Sequence, residues 1–112
     1  MTYKMYDVVV VPFPFTNQST DKKRPALVLS DNDSFNEASD NCVLAMITSA
    51  KNPGWPLDTI IGSSKKAGLP APSKVRLKLF TLDHRLIIKK IGGLAAKDQT
   101  GVKENLKKLL QL

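Results

Sequence analysis

What this 112-residue chain lacks narrows its chemistry first. It has one cysteine, Cys42, so no intramolecular disulfide framework holds it together, which fits a reducing compartment. It has one histidine, His84, and one Cys with one His cannot fill a tetrahedral zinc shell without carboxylates. The acidic pair Asp31/Asp33 lacks the glycine and terminal glutamate of a calcium-binding EF-hand loop. No apolar run approaches membrane-spanning length. The start, Met1 to Asp7, lacks the apolar centre and small-residue cleavage site of a signal peptide, so a cytoplasmic location with no membrane partner is expected. Also missing are a phosphate-cradling glycine loop, a nucleophile elbow and a zinc-protease helix.

What is present reads as one soluble domain over residues 1–112, 42% hydrophobic and 24% charged, with no internal repeat or linker. At this size one core forms, and dimerisation would add to the buried surface. The net charge is +7 and unevenly spread. Residues 1–50 carry four Lys/Arg against six Asp/Glu, and residues 51–112 carry thirteen against four. A basic second half suits a polyanion, nucleic acid first, or an acidic protein partner; a basic surface kept for solubility would look the same.

The chain divides into short strands and one helix. Val8 to Val11 is a β-branched run that favours a strand, stopped or moved to an edge by Pro12 and Pro14. The polar stretch 16–23 reads as a loop. Lys22-Lys23-Arg24-Pro25 then leads into Ala26 to Leu29, an unalternating apolar run that suits a strand covered on both faces. Pro25, with no backbone N–H, fits the first position of that strand. Arg24 therefore stands where a loop enters a rigid core, with a planar fork of donors that matches phosphate or carboxylate. Three cations that merely keep a strand end soluble would look alike.

After a turn-forming stretch with one helical turn near Ser34–Ala38, Cys42 to Thr48 reads as a central strand with Thr48 at its end. Residues 55–61 read as a short strand and 63–72 as loop. From Ser73 to Leu79 the chain alternates: Val75, Leu77 and Leu79 are expected to face the core, and Lys74, Arg76 and Lys78 to face solvent as three cations in a row. Such a row tracks a phosphate backbone, though lysines guarding an edge strand give the same pattern. Residues 80–85 are expected to turn, with His84 at the surface, and 86–91 to form a last strand before Gly92 and Gly93. Val102, Leu106, Leu109 and Leu110 then share one helical face, and Asp98 is a better N-cap than Ala95. Short strands followed by a helix give a mainly β fold, a small curved sheet or barrel.

An ordered set of residues carries a resemblance. Asp7 to Phe15 (DVVVVPFPF), Arg24 to Ser30 (RPALVLS), Ile47-Thr48, and Ser73-Lys74-Val75-Arg76 followed by Thr81-Leu82-Asp83 occur in the order and spacing of the MazF/PemK toxins of bacterial type II toxin–antitoxin systems. The chain resembles the PemK-like branch over nearly its whole length. The resemblance implies an SH3-like (CcdB/PemK-type) barrel with a C-terminal helix and a homodimer. It implies a metal-independent, cofactor-free endoribonuclease that cuts single-stranded mRNA through the 2′-hydroxyl and inhibits growth. It also implies a cognate antitoxin whose flexible acidic segment covers the RNA surface, with operator DNA bound only together with that antitoxin. Carried over by position, Arg24 and Thr48 are the catalytic residues; Gln18, Lys22, Lys23, Ser49, Ser73, Lys74, Arg76 and Lys78 are the residues expected to bind the RNA. Specificity is expected in the loops at 14–23, 50–56 and 62–72.

One departure stands out. Some relatives carry an Arg-x-Asp pair ahead of the Thr-x-Asp segment, and those positions are Val75 and Leu77 here. Arg76 is one residue off, and no carboxylate is present to act as general base. The competing expectation is a non-catalytic nucleic-acid or antitoxin-binding module, or a gyrase poison on the same fold. CcdB-type poisons act through a C-terminal aromatic, whereas this chain ends Leu109-Leu110-Gln111-Leu112.

Overall fold

The valine run forms the strand expected of it. In the computed structural model, which describes residues 2–12 and 22–112, β1 spans Asp7–Pro12 and β2 Lys23–Val28. A π-helical turn at Asn32–Asn36 runs into one helical turn, α1, at Glu37–Ser39. Then come β3 (Asn41–Ser49), β4 (Thr59–Ile60), β5 (Ser73–Asp83), a 3₁₀ turn at His84–Leu86, β6 (Lys89–Gly93) and α2 (Ala96–Leu110). The strands form one antiparallel sheet in the order β4-β5-β3-β2-β1-β6. The fold is mainly β with a C-terminal helix, a curled sheet forming a half-barrel.

Both faces of the central strands are covered, which is why Ala26, Leu27, Val28 and Leu29 are all buried without alternation. On one face Val8, Leu27, Ala45, Ile47, Val75 and Leu77 pack with Ile61, Leu94 and Val102. On the other Val9, Val11, Ala26, Val28, Cys42 and Leu44 pack with Tyr3 and Ile87. The ladder does not close between β4 and β6. Instead the turn after β4 reaches β6, where Gly93 N–H donates to Lys66 O at 3.2 Å. Gly68 makes that approach possible: its φ is +74°, and a Cβ there would lie 2.0 Å from Ile91 O.

Several expected boundaries move. Pro25 is the third residue of β2, not the first. Along β2 the backbone alternates sides: Val28 O accepts from Tyr6 on the β1 side, and Leu29 N–H donates to Val43 on the β3 side. Pro25 nitrogen therefore faces β3, where the ladder has already stopped at Ala26↔Met46. Its missing donor falls where that ladder has ended, and β2 and β3 part company beyond it.

Residues 80–83, expected to turn, continue β5 opposite Cys42 to Leu44 and Asn41. The strand expected over 55–61 is reduced to Thr59–Ile60, and that over 86–91 begins at Lys89. In α2, Ala95 is the N-cap without a side-chain bond. Asp98 instead accepts from Gly62 N (2.9 Å) and Ser63 N (3.0 Å), joining the helix to the chain after β4. Val102 and Leu106 pack on the sheet, but Leu109 and Leu110 remain exposed. His84 is half-buried, with Nε2 3.2 Å from Cys42 Sγ and its ring edge-on to Tyr3. No helix among the described residues is long and apolar enough to cross a membrane.

Candidate active-site cleft and nucleic-acid surface

The parting of β2 and β3 opens a cleft of about 560 Å³. One wall is Arg24 and Pro25, the floor is Met46 to Ser49, and the far wall is Leu69 to Ser73, with Asn52 at the rim. The β2–β3 register, Ala26↔Met46 and Val28↔Leu44, sets Arg24 opposite Thr48 when continued by two places. Thr48 is in turn paired with Lys74 of β5. Arg24, Thr48 and Lys74 thus form one row across three strands on one sheet face. Met46 and Arg76 form the next row. A bulge between Ala45 and Met46 separates these rows from the regular pairing beyond.

Within the row the residues differ in state. Arg24 is exposed and has no hydrogen-bond or ion-pair partner among the described residues. Thr48 Oγ1 accepts from Asn52 Nδ2, which leaves its own hydroxyl proton to be donated into the cleft. Ser49 is exposed at the end of β3, and its Oγ accepts from Lys51 N at 3.3 Å. Ser73 lines the cleft, although its hydroxyl donates to Ala71 O at 2.9 Å. Lys22 and Lys23 are exposed beside Arg24, Lys23 on the opposite face of β2. Gln18 lies outside the described residues.

The cationic row of β5 departs from expectation. Lys74 is only 5% exposed. Its Nζ donates to Asn52 O at 2.7 Å and lies 3.4 Å from Asp58 Oδ2. Arg76 binds both oxygens of Asp58, Nε at 3.2 Å and a terminal nitrogen at 3.1 Å, and also donates to Pro53 O at 2.7 Å. Lys78 stands 5.8 Å from the Trp55 ring centre and Arg76 5.5 Å. The alternation assigned their face correctly, but the loop between β3 and β4 folds over that face and engages Lys74 and Arg76 in hydrogen bonds and ion pairs.

Asp58 is the residue that sequence reading passed over. Burial pushes its carboxyl up, but hydrogen bonds from Arg76, from Trp55 N–H and from Lys74, with the charge of Arg76, hold it below the usual aspartate range. It is the carboxylate for Arg76 that the β5 sequence lacks, supplied from another strand connection. The available signal was an acid in the Trp55-Pro56-Leu57-Asp58 stretch facing a basic strand, which spacing alone does not pair.

Elsewhere the alternatives are weaker. Burial drives the Cys42 thiol up to about 11, so it stays neutral and non-nucleophilic. A second groove of about 590 Å³ lies between Met5, Tyr6 and α2. There the polar side chains of Gln99 and Thr100 donate to Leu94 O and Ala96 O, within and beside α2. Among the described residues no group of three His, Cys, Asp or Glu could hold a metal ion.

Residues 4–110 match the family model of the PemK-like, MazF-like toxins of type II toxin–antitoxin systems, and the chain belongs to that family. No curated protein matches it at the sequence level. Among solved structures it is similar to a MazE–MazF complex from Deinococcus radiodurans, with 19% identity, a TM-score of 0.78, and coverage of 100% of this chain and 99% of that one. It is also similar to a mycobacterial endoribonuclease in complex with its cognate antitoxin (17%, 0.76, 99% and 95%). The Mycobacterium tuberculosis toxin MazF-mt6 shares the fold too (21%, 0.71, 95% and 97%). At these identities the likeness is one of fold.

Proposed function

We propose that this chain is the toxin of a type II toxin–antitoxin pair and acts in the cytoplasm as a metal-independent endoribonuclease on single-stranded RNA. The observation that carries the reading is the register of Arg24 and Thr48, opposite each other across the split where β2 and β3 part. The substrate's 2′-oxygen forms a bond to phosphorus, the bond from phosphorus to the 5′-oxygen breaks, and the products are a 2′,3′-cyclic phosphate and a 5′-hydroxyl. In this reading Arg24 binds the non-bridging oxygens as negative charge builds on them and hydrogen-bonds the departing 5′-oxygen. Thr48 donates to the same phosphate. No carboxylate or imidazole among the described residues lines the cleft, so the 2′-hydroxyl proton leaves to water and the 5′-oxygen takes one back. The enzyme's contribution is alignment and charge stabilisation rather than a strong base.

Lys22, Lys23 and Lys78 supply phosphate attraction around this centre, and Ser49 and Ser73 border the strand's path. Lys74 and Arg76 hold the loop that carries Asn52, so they act on RNA through that loop. The net charge of +7 suits both an RNA strand and an acidic antitoxin segment competing for one surface. A homodimer is part of the proposal.

The test is incubation of purified protein with a long single-stranded RNA in EDTA, with Arg24→Ala in parallel and both ends of each product mapped. Discrete cuts with cyclic phosphate and 5′-hydroxyl ends that vanish in the variant support the reading. A folded wild-type protein that leaves the RNA intact would overturn it in favour of a non-catalytic binding module.

A further inference from the structure

The groove between the N-terminal turn and α2 has a volume of about 590 Å³. Sites for small organic ligands span roughly 300–1,000 Å³. Its floor is apolar: Met5, Leu106 and Leu112 line it, and Met5 is 40% exposed. Its wall is held rigidly. Tyr6 sits at φ +74°, a conformation unfavourable for a residue with a Cβ, and is pinned on both sides. Its N–H donates to Val28 O at 2.7 Å, and its carbonyl accepts from Leu94 N at 3.0 Å. The backbone thus fixes where the half-buried Tyr6 side chain stands in the groove.

Three donors at this groove lack an acceptor. Lys103 and Lys107 stand one helical turn apart on α2, with Tyr6 beside them. Neither ammonium group nor the phenol has a hydrogen-bond or ion-pair partner among the described residues. Burial pushes the Tyr6 phenol above its ordinary pKa, so it stays a donor at neutral pH. No Asp or Glu lines the groove. Unpaired cationic donors beside a fixed apolar floor match a ligand with an anionic head and a hydrocarbon body. We propose that the groove binds a fatty acid, its carboxylate held by Lys103, Lys107 and the Tyr6 hydroxyl and its acyl chain laid over Met5, Leu106 and Leu112. An extended peptide needs partners for its backbone, yet Gln99 and Thr100 turn their donors to Leu94 O and Ala96 O, and both Tyr6 backbone groups are taken. A second copy closing over the groove about a two-fold axis would set lysines against lysines with no lining carboxylate between them. The groove shares no lining residue with the Arg24–Thr48 cleft. Tyr6 meets β2 at Val28, which is roughly 13 Å along the strand from Arg24. Occupancy of the groove is therefore independent of RNA cleavage.

The test is titration of the isotope-labelled full chain with laurate, kept below its micelle concentration and followed by NMR. Saturable shifts are expected at Met5, Tyr6 and residues 99–112, with the Arg24 and Thr48 amides unmoved. Acetate, which has the head without the chain, should give no such shifts at the same concentration. Dodecanol, which has the chain without the charge, should bind roughly 10-fold more weakly. The Lys103→Gln/Lys107→Gln double variant should lose about 10-fold in Kd for laurate, and Tyr6→Phe, which keeps the ring, about 3-fold. Both lysines are exposed and unpaired among the described residues, so the double variant should keep the wild-type spectrum away from the groove. Absence of saturable shifts, or shifts scattered over the whole surface, would overturn the site. So would dodecanol, or the double variant, binding as tightly as laurate binds wild type. An acidic amphipathic peptide of Glu and Leu that occupied the groove more tightly than laurate would give it to a protein partner instead. A dimer in sedimentation velocity that Met5→Lys dissociates would give it to a second copy, and either result excludes the fatty-acid reading.

Discussion

Arg24 and Arg76 share a sheet face two strands apart, yet they are in opposite states. Arg24 is exposed and has no partner among the described residues, whereas Arg76 is clamped in a fork on Asp58 with its neighbour Lys74 buried beside it. The first is a charge kept available; the second is a charge spent on holding a loop. A guanidinium already paired has little field left for an incoming phosphate, and freeing it would strand a partly buried carboxylate. The difference separates a residue that can bind a reacting group from one that shapes the surroundings, although both read as basic residues on a strand.

The strongest way to sharpen this contrast is to remove each arginine's role in turn. Arg24→Ala should lower kcat/KM for RNA by 100-fold or more, about 3 kcal/mol of charge stabilisation. Its thermal stability should stay within about 0.5 kcal/mol of wild type, because Arg24 is exposed and holds none of the described residues together. Asp58→Ala should do the converse. Leaving Lys74 and Arg76 without their carboxylate should cost about 2–3 kcal/mol, somewhat below the cost of breaking a fully buried pair, and lower Tm by roughly 10 °C. If calorimetry gave Asp58→Ala a wild-type Tm, the clamp would be ornamental and the two arginines equivalent.

A smaller effect probes the cleft floor. Thr48→Ala should slow cleavage about 10-fold, the size of one hydrogen bond to a charged group, and Thr48→Ser should restore most of it. Asn52→Ala leaves the hydroxyl but removes the donor that orients it, so a loss of about 3-fold is expected in single-turnover rates. A larger loss for Asn52→Ala than for Thr48→Ala would mean that Asn52, not Thr48, meets the phosphate.

These contrasts also mark what could be read from the sequence. Val8–Val11 and Ala26–Leu29 declared themselves as strands because β-branched and apolar runs need only local information. Arg24 and Thr48 were each placed at a strand end by the same local signals, and both line the cleft. Their facing register was not legible, because it depends on where the β2–β3 ladder stops, a property of two strands at once. The period of Ser73–Leu79 gave the face of Lys74, Arg76 and Lys78 but not their exposure, since Asp58 arrives from a different loop. Residues 80–83 looked like a turn until Cys42–Leu44 offered them a partner strand. Pairing across a sheet is non-local, and a single sequence holds it only implicitly.

Acid should dissolve the contrast from the other side. The Asp58 carboxyl is held below its usual range by Arg76, Trp55 N–H and Lys74 despite the opposing effect of burial. Its contribution to stability is therefore fully present above the ordinary aspartate value of about 3.9 and is lost as pH falls through the depressed folded value. Asp31 and Asp83 are also lowered, but Asp31 is held by the backbone of Ser34 and Asp83 by Arg85, and neither is bonded to the Trp55 loop. Protonating Asp58 weakens the bonds to Trp55 N–H and Arg76 together, so the loop should loosen before the sheet does. Trp55 emission should shift below about pH 4 while far-ultraviolet circular dichroism holds. Asp58→Asn, which cannot titrate, should show no such separate step. A wild-type emission profile that simply follows global unfolding would mean that the loop and sheet melt as one unit, and that Asp58 stabilises the whole fold rather than the platform that carries Trp55.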